Sequence, residues 1–67
     1  MAPYADNSGL PESVQSSLPG HAQDIYREAF NHAWEEYGHD DVRAHRVAWG
    51  AVKRRYEKSQ HGWVPKP

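Results

Sequence analysis

Ala22-Gln23-Asp24-Ile25-Tyr26-Arg27-Glu28-Ala29-Phe30-Asn31-His32-Ala33-Trp34-Glu35-Glu36-Tyr37 settles the architecture. Ala22, Ile25, Tyr26, Ala29, Phe30, Ala33, Trp34 and Tyr37 recur at i, i+3, i+4, i+7, i+8, i+11, i+12 and i+15, the repeat of one face of an α-helix. Asp24, Arg27, Glu28, Asn31, His32, Glu35 and Glu36 fill the wet side. Alanines alternating with rings let a neighbouring helix approach closely at the small positions. Gly38 reads as the left-handed residue that ends the helix. At the other end Gly20 reads as the N-cap, with Gln23 reaching back to its backbone N–H as half of a capping box.

Working outward, Asp40 or Asp41 caps a third helix with the stripe Val42, His45, Ala48, Trp49, Val52 and Tyr56, flanked by Ala44, Val47 and Ala51. Arg43, Arg46, Lys53, Arg54, Arg55 and Lys58 occupy its remaining positions. So short a connection makes these two helices antiparallel neighbours. The expected seam is Ile25, Phe30, Trp34, Val47, Trp49 and Val52. Upstream, Leu10, Val14 and Leu18 share a face of a short helix opened at Pro11-Glu12 and closed by Pro19. Downstream, Ser59–Pro67 (SQHGWVPKP) turns at His61-Gly62, and Trp63 folds back as a lid. A short strand pairing of Tyr4 with Trp63-Val64 would be marginal alone. The fold class is all-α, with residues 1–9 as an arm and 65–67 as a tail.

The chain has 67 residues, 37% hydrophobic and 25% charged, which is one small, lean domain. It has no cysteine, so disulfides, thiol chemistry and Cys-based zinc sites are excluded. Three Trp, four Tyr and one Phe supply the core mass such a chain needs. No apolar run is long enough to span a membrane, and MAPYADNSGL has neither the basic nor the apolar region of a secretory signal. A cytoplasmic protein is expected.

The net charge of −1 hides two opposed halves. Residues 1–41 carry eight carboxylates against Arg27 alone, a net of −7; residues 42–67 carry seven cations against Glu57 alone, a net of +6. Such halves either attract across solvent as neighbouring helices, at about 0–1 kcal/mol per exposed pair, or offer a basic face to an anionic partner. Arg46, Lys53, Arg54, Arg55 and Lys58 are the candidate nucleic-acid contacts. Consecutive cations spread around a helix, so this face would bind backbone phosphates weakly and read no bases.

Other chemistry is poorly served. His21, His32, His39, His45 and His61 contain no i, i+3 or i+4 pair, the helical spacing a metal site uses. His39, Asp41 and His45 could meet at the loop, and His45 reads as a buried, hydrogen-bonded core histidine. Glu35 and Glu36, adjacent on a helix, point about 100° apart and cannot flank one bond. No nucleophile with an attendant base and no phosphate loop is present. A hairpin of this size offers no obvious pocket for a small molecule. No enzyme, cofactor or metal is implied.

Leu10-Pro11-Glu12-Ser13-Val14, Leu18-Pro19, His21-Ala22-Gln23-Asp24-Ile25-Tyr26, Ala29-Phe30-Asn31, Ala33-Trp34, Val47-Ala48-Trp49, Ala51-Val52-Lys53 and Gly62-Trp63 run in the order of the ChaB family. The chain closely resembles that family over nearly its whole length. The resemblance implies a compact, mainly helical ChaB-like domain over residues 10–64, a regulator of cation transport associated with a cation–proton antiporter. It also implies a nucleic-acid alternative, since relatives in insect viruses are linked to DNA binding and others are fused to an RNA-binding-type domain. Two departures stand out. The longer, highly charged connection of the familiar bacterial member shrinks here to Gly38-His39-Asp40-Asp41, and Gly20 replaces its Ser N-cap.

His21, Gln23, Asp24 and Asn31 match the family pattern although Asp24 and Asn31 lie off the apolar stripe. They read either as local caps and hydrogen bonds or as a polar docking patch for a protein partner. The reading is a regulatory adaptor that docks on a protein, with nucleic-acid association through the third helix as the alternative.

Overall fold

The computed structural model describes residues 3–67. A 3-10 turn over Asn7–Gly9 is followed by α1 (Glu12–Ser17), α2 (Gly20–Glu36), α3 (Asp41–Arg55), β1 (Tyr56–Ser59) and β2 (Gly62–Pro65). The chain is mainly helical, as the periodicity predicts, with a short antiparallel hairpin at its end.

Leu18 takes an extended conformation ahead of Pro19 and ends α1. Pro19, rather than Gly20, is the N-cap of α2, and no side chain caps that end. Gln23 therefore does not close a capping box. Its amide Nε2 donates instead to the carbonyls of Leu18 (2.8 Å) and Gln15 (3.2 Å), tying α2 to the last turn of α1. Gln15 does the same for the turn before it, donating to the carbonyl oxygens of Leu10 (2.6 Å) and Ser8 (3.2 Å).

At the other end of α2, Gly38 and His39 are both left-handed, at φ 67° and 68°. The His39 amide donates to the Trp34 carbonyl at 2.7 Å, and the His39 ring lies flat on the Trp34 indole, with centroids 3.7 Å apart. That contact offsets the strain of a non-glycine residue in the left-handed region. Asp40 is the N-cap of α3, its carboxylate accepting from the Arg43 amide at 3.1 Å.

The core is Leu10, Val14 and Leu18 from the first segment, Ala22, Tyr26, Phe30 and Ala33 from α2, and Ala44, Ala48, Val52 and Tyr56 from α3 and β1. Small residues let α2 and α3 approach, since Ala22, Ala44 and Ala48 are wholly buried. Tyr4, Ile25, Ala29, Trp34, Trp49 and Trp63 pack around this centre.

The stripe of α3 is rotated from the expected one. Ala44, Ala48 and Val52 face α2, while Val42 (65% exposed), Val47 (39%) and Tyr37 (42%) face out. His45 is likewise exposed rather than buried, though it keeps a hydrogen bond, shared between Nδ1 and the Tyr26 hydroxyl at 2.8 Å. Val47 thus leaves the expected seam; close alanine packing at 44 and 48 turns position 47, about 100° away, to solvent.

α3 also ends earlier than its charges suggest. Tyr56 is already extended, and Tyr56, Glu57, Lys58 and Ser59 pair with Pro65, Val64, Trp63 and Gly62. The strand pairing is therefore local and does not join Tyr4 to Trp63-Val64. Its loop is Gln60-His61, with Gly62 at φ 100°. Closing two residues costs far less chain entropy than closing nearly the whole molecule. Lys66 N–H then donates to the Arg55 carbonyl at 2.9 Å and locks the hairpin to the end of α3. Trp63 does fold back, its ring 5.5 Å from that of Trp49.

Candidate docking surfaces: an aromatic groove and a cationic helix face

The four polar residues singled out on α2 are engaged within the molecule. Asn31 brackets the arm, with Oδ1 accepting from the Tyr4 amide (3.2 Å) and Nδ2 donating to the Tyr4 carbonyl (2.8 Å). Tyr4 is thereby laid over Phe30, its ring 5.0 Å away. Asp24 accepts from Asn7 Nδ2 at 2.7 Å and faces Arg27 at 3.7 Å; Arg27 in turn donates to Asn7 Oδ1 at 2.9 Å. His21 Nδ1 and the Tyr56 hydroxyl share a hydrogen bond at 3.0 Å. With Gln23 on α1, these residues hold the arm, α1 and β1 against α2.

The five candidate cations separate. Arg46, Lys53 and Arg54, with Arg43, share the outer face of α3, opposite Ala44 and Ala48. Gly50 lies among them with nothing within 4 Å of where a Cβ would stand. Arg55 is turned away and, with His21, Glu28 and Arg54, borders a polar cleft of about 490 Å³. Lys58 has left the helix for β1.

Among the described residues no ion pair joins α2 to α3. The close contacts between acidic and basic side chains are Asp24–Arg27, His32–Glu36 and Glu35–His39, all within α2 or its turn. The expected attraction between the two charged helices is thus not realised as contacts, because alanine packing turns the α3 cations outward. Arg43 instead rests over the Tyr37 ring, 4.9 Å from its centroid.

The residue pattern missed a groove. An open, mostly apolar depression of about 630 Å³ runs between the arm and the first turns of α3. Tyr26, Phe30 and Trp34 form its floor, Pro3, Tyr4 and Pro11 one wall, and Asp41, Val42 and His45 the other. The expectation of no pocket is corrected: the arm, pinned by Asn31, stands off from α3 rather than filling the space. Only the alternation of rings at 26, 30 and 34 pointed to it, and that signal reads equally as core.

Polar atoms stand at defined points of this groove. Trp34 Nε1–H donates to Asp41 Oδ1 at 2.9 Å, and the Tyr26 hydroxyl meets His45 Nδ1. Burial, with a smaller contribution from nearby Tyr4, pushes the Tyr26 phenol up to about 12, so it stays protonated. Among the described residues no group of three or more His, Asp or Glu is placed to hold a metal ion, so His39, Asp41 and His45 do not form a cluster. Among the described residues no helix is long and apolar enough to cross a membrane.

The ChaB family model matches residues 10–66. The Escherichia coli K12 protein named "Putative cation transport regulator ChaB" is 52% identical over 65 residues, covering 84% of this chain and 86% of its own length. The Shigella flexneri protein of the same name matches to the same extent. An NMR solution structure of "the putative cation transport regulator ChaB" superposes with a TM-score of 0.82 at 49% identity, covering 97% of this chain and all of that one. Sequence pattern, fold and close relatives agree, and the chain belongs to the ChaB family.

Proposed function

We propose that this protein is a non-enzymatic regulator of cation transport that docks, from the cytoplasm, on a membrane transport protein of the cation–proton antiporter class. The names of its close relatives support the regulatory role. The open aromatic groove carries the docking mechanism. A 67-residue chain that leaves Tyr4, Trp34 and Val42 around a depression keeps apolar surface available for a partner. Candidate partner contacts also include the polar edge of α2, His21, Gln23, Asp24 and Asn31, of which Asp24 and Asn31 act through the arm they position.

The test is cation–proton exchange in inverted membrane vesicles from cells lacking the protein, with purified protein added back. Addition should change the exchange rate, and Val42→Lys, which places a charge on an exposed groove wall, should abolish the change. An exchange rate indifferent to the wild-type protein overturns the proposal.

A second reading is favoured by one observation: among the described residues the outer cations of α3 contact no carboxylate. Arg46, Lys53 and Arg54 would then bind nucleic-acid phosphates, with Arg55 at the neighbouring cleft and Lys58 on β1 adding contacts only from outside that face. Fluorescence anisotropy with duplex DNA decides this. Binding that falls steeply with salt and vanishes when Lys53, Arg54 and Arg55 become Glu supports it.

A further inference from the structure

We infer that the groove is the seat of a cationic, apolar-anchored peptide segment of the partner: one or two large apolar side chains flanked by Lys or Arg. This rests on the docking role proposed above and names the chemistry of the occupant.

The floor sets the apolar requirement. Tyr26 and Phe30 are the buried rings beneath the groove, stacked at 5.9 Å, and the Tyr26 hydroxyl is already bonded to His45. Both are buried, so an occupant meets the half-buried rings of Tyr4 and Trp34 and the exposed Val42 above them, with the Tyr26 hydroxyl already satisfied. The depression is open along its length, which suits a chain segment better than an enclosed small molecule.

The rim sets the charge. Asp41 is the one carboxylate lining the groove among the described residues, and no Lys or Arg lines it. One Asp41 oxygen takes the Trp34 indole N–H; the other has no hydrogen-bond partner among the described residues. Asp40 stands next to it, and the half of the chain that supplies the floor carries a net −7. The half-buried rings of Tyr4 and Trp34 line the groove beside Asp41, and aromatic rings attract a cation through their quadrupoles. Arg46, one turn beyond Val42, lies outside the lining. An anionic occupant would face Asp41 and gain nothing from the rings.

Such segments belong to the proposed partner class for a physical reason. The cytoplasmic loops of membrane proteins are enriched in Lys and Arg close to the apolar ends of their spans. A basic residue next to a large apolar one is what these loops present to the aqueous side.

The test uses the intact protein and two synthetic peptides with the same Leu-Leu centre, one flanked by arginines and one by glutamates. Binding is followed by NMR at the Trp34 indole N–H and the amides of Val42 and His45. The arginine peptide should shift these signals and bind at least about tenfold more tightly than the glutamate peptide, the factor expected from one charge-assisted contact. Asp41→Asn, which keeps an acceptor for the Trp34 indole, should narrow that preference to about twofold while the spectrum stays dispersed.

Equal binding of both peptides, no binding of either, or shifts confined to the outer face of α3 overturns the inference. So does self-association through the groove, seen as concentration-dependent shifts without peptide. Vesicle exchange separates the two claims. If exchange responds and the peptides do not discriminate, the basic occupant fails and the regulatory role stands. If the peptides discriminate and exchange is unmoved, the regulatory role fails alone.

Discussion

The polar edges of α2 and α3 look alike on a helical wheel and behave in opposite ways. On α2, His21, Gln23, Asp24 and Asn31 each bond another part of the chain. On α3, Arg46, Lys53 and Arg54 contact no carboxylate among the described residues. The difference lies in what passes overhead. The arm and α1 run back along α2, and amide and carboxylate side chains are short enough to grip a neighbouring backbone. Nothing covers the outer face of α3, so its long cations stay in water. Off-stripe polar residues are therefore structural where the chain doubles back, and available where it does not.

Alkaline pH should break the α2 side first. The buried Tyr26 phenol holds its proton up to about 12 in the folded chain, whereas an unfolded tyrosine releases it near 10. Its contribution is full below pH 10 and is lost as the pH rises toward 12. Urea unfolding across that window should show falling stability, and Tyr26→Phe should flatten the fall. Equal slopes in both proteins would remove Tyr26 as the cause.

Asn31→Ala comes next. It deletes both bonds to the Tyr4 backbone and should cost about 1–3 kcal/mol in the same assay. A cost within error would mean that the Tyr4 ring and the Asn7 bonds to Asp24 and Arg27 hold the arm without Asn31.

The α3 side should respond weakly or in the opposite direction. Gly50→Ala meets open space at a helical position and should stabilise by about 0.5–1 kcal/mol, visible as a higher Tm. A loss would show crowding on a face described here as bare. Smallest of all, Arg46→Ala and Lys53→Ala should each stay within about 0.5 kcal/mol of wild type. A larger cost would erase the contrast between the two edges.

Much of this was legible in the residues, and the exceptions have physical reasons. The ladder of α2 was plain because it carries rings at 26, 30, 34 and 37. On α3 the expected burial of Ala48, Val52 and Tyr56 holds, but Ala44 replaces Val42 and Val47 at the seam: an alanine signals burial more weakly than a valine, yet backbone approach rewards the smaller side chain. Tyr56-Glu57-Lys58-Ser59 reads as more helix; only the return of Trp63-Val64 and the Lys66–Arg55 bond make it a strand. The groove was illegible because its walls come from residues 3–11 and 41–45, which no local period connects. The grip of Asn31 on Tyr4, twenty-seven residues away, has no local signature, since no period links the two positions.

The bend at Gly38-His39 bears on all of this. Its angle is held by an imidazole resting on an indole together with the backbone bond between the same two residues, and that indole also anchors Asp41 at the start of α3. Val42 and His45 follow within that first stretch of α3, so the far bank of the groove is geared to the pairing of Trp34 with His39. Whatever loosens that contact changes the aperture offered to a visitor while leaving the alanine seam untouched.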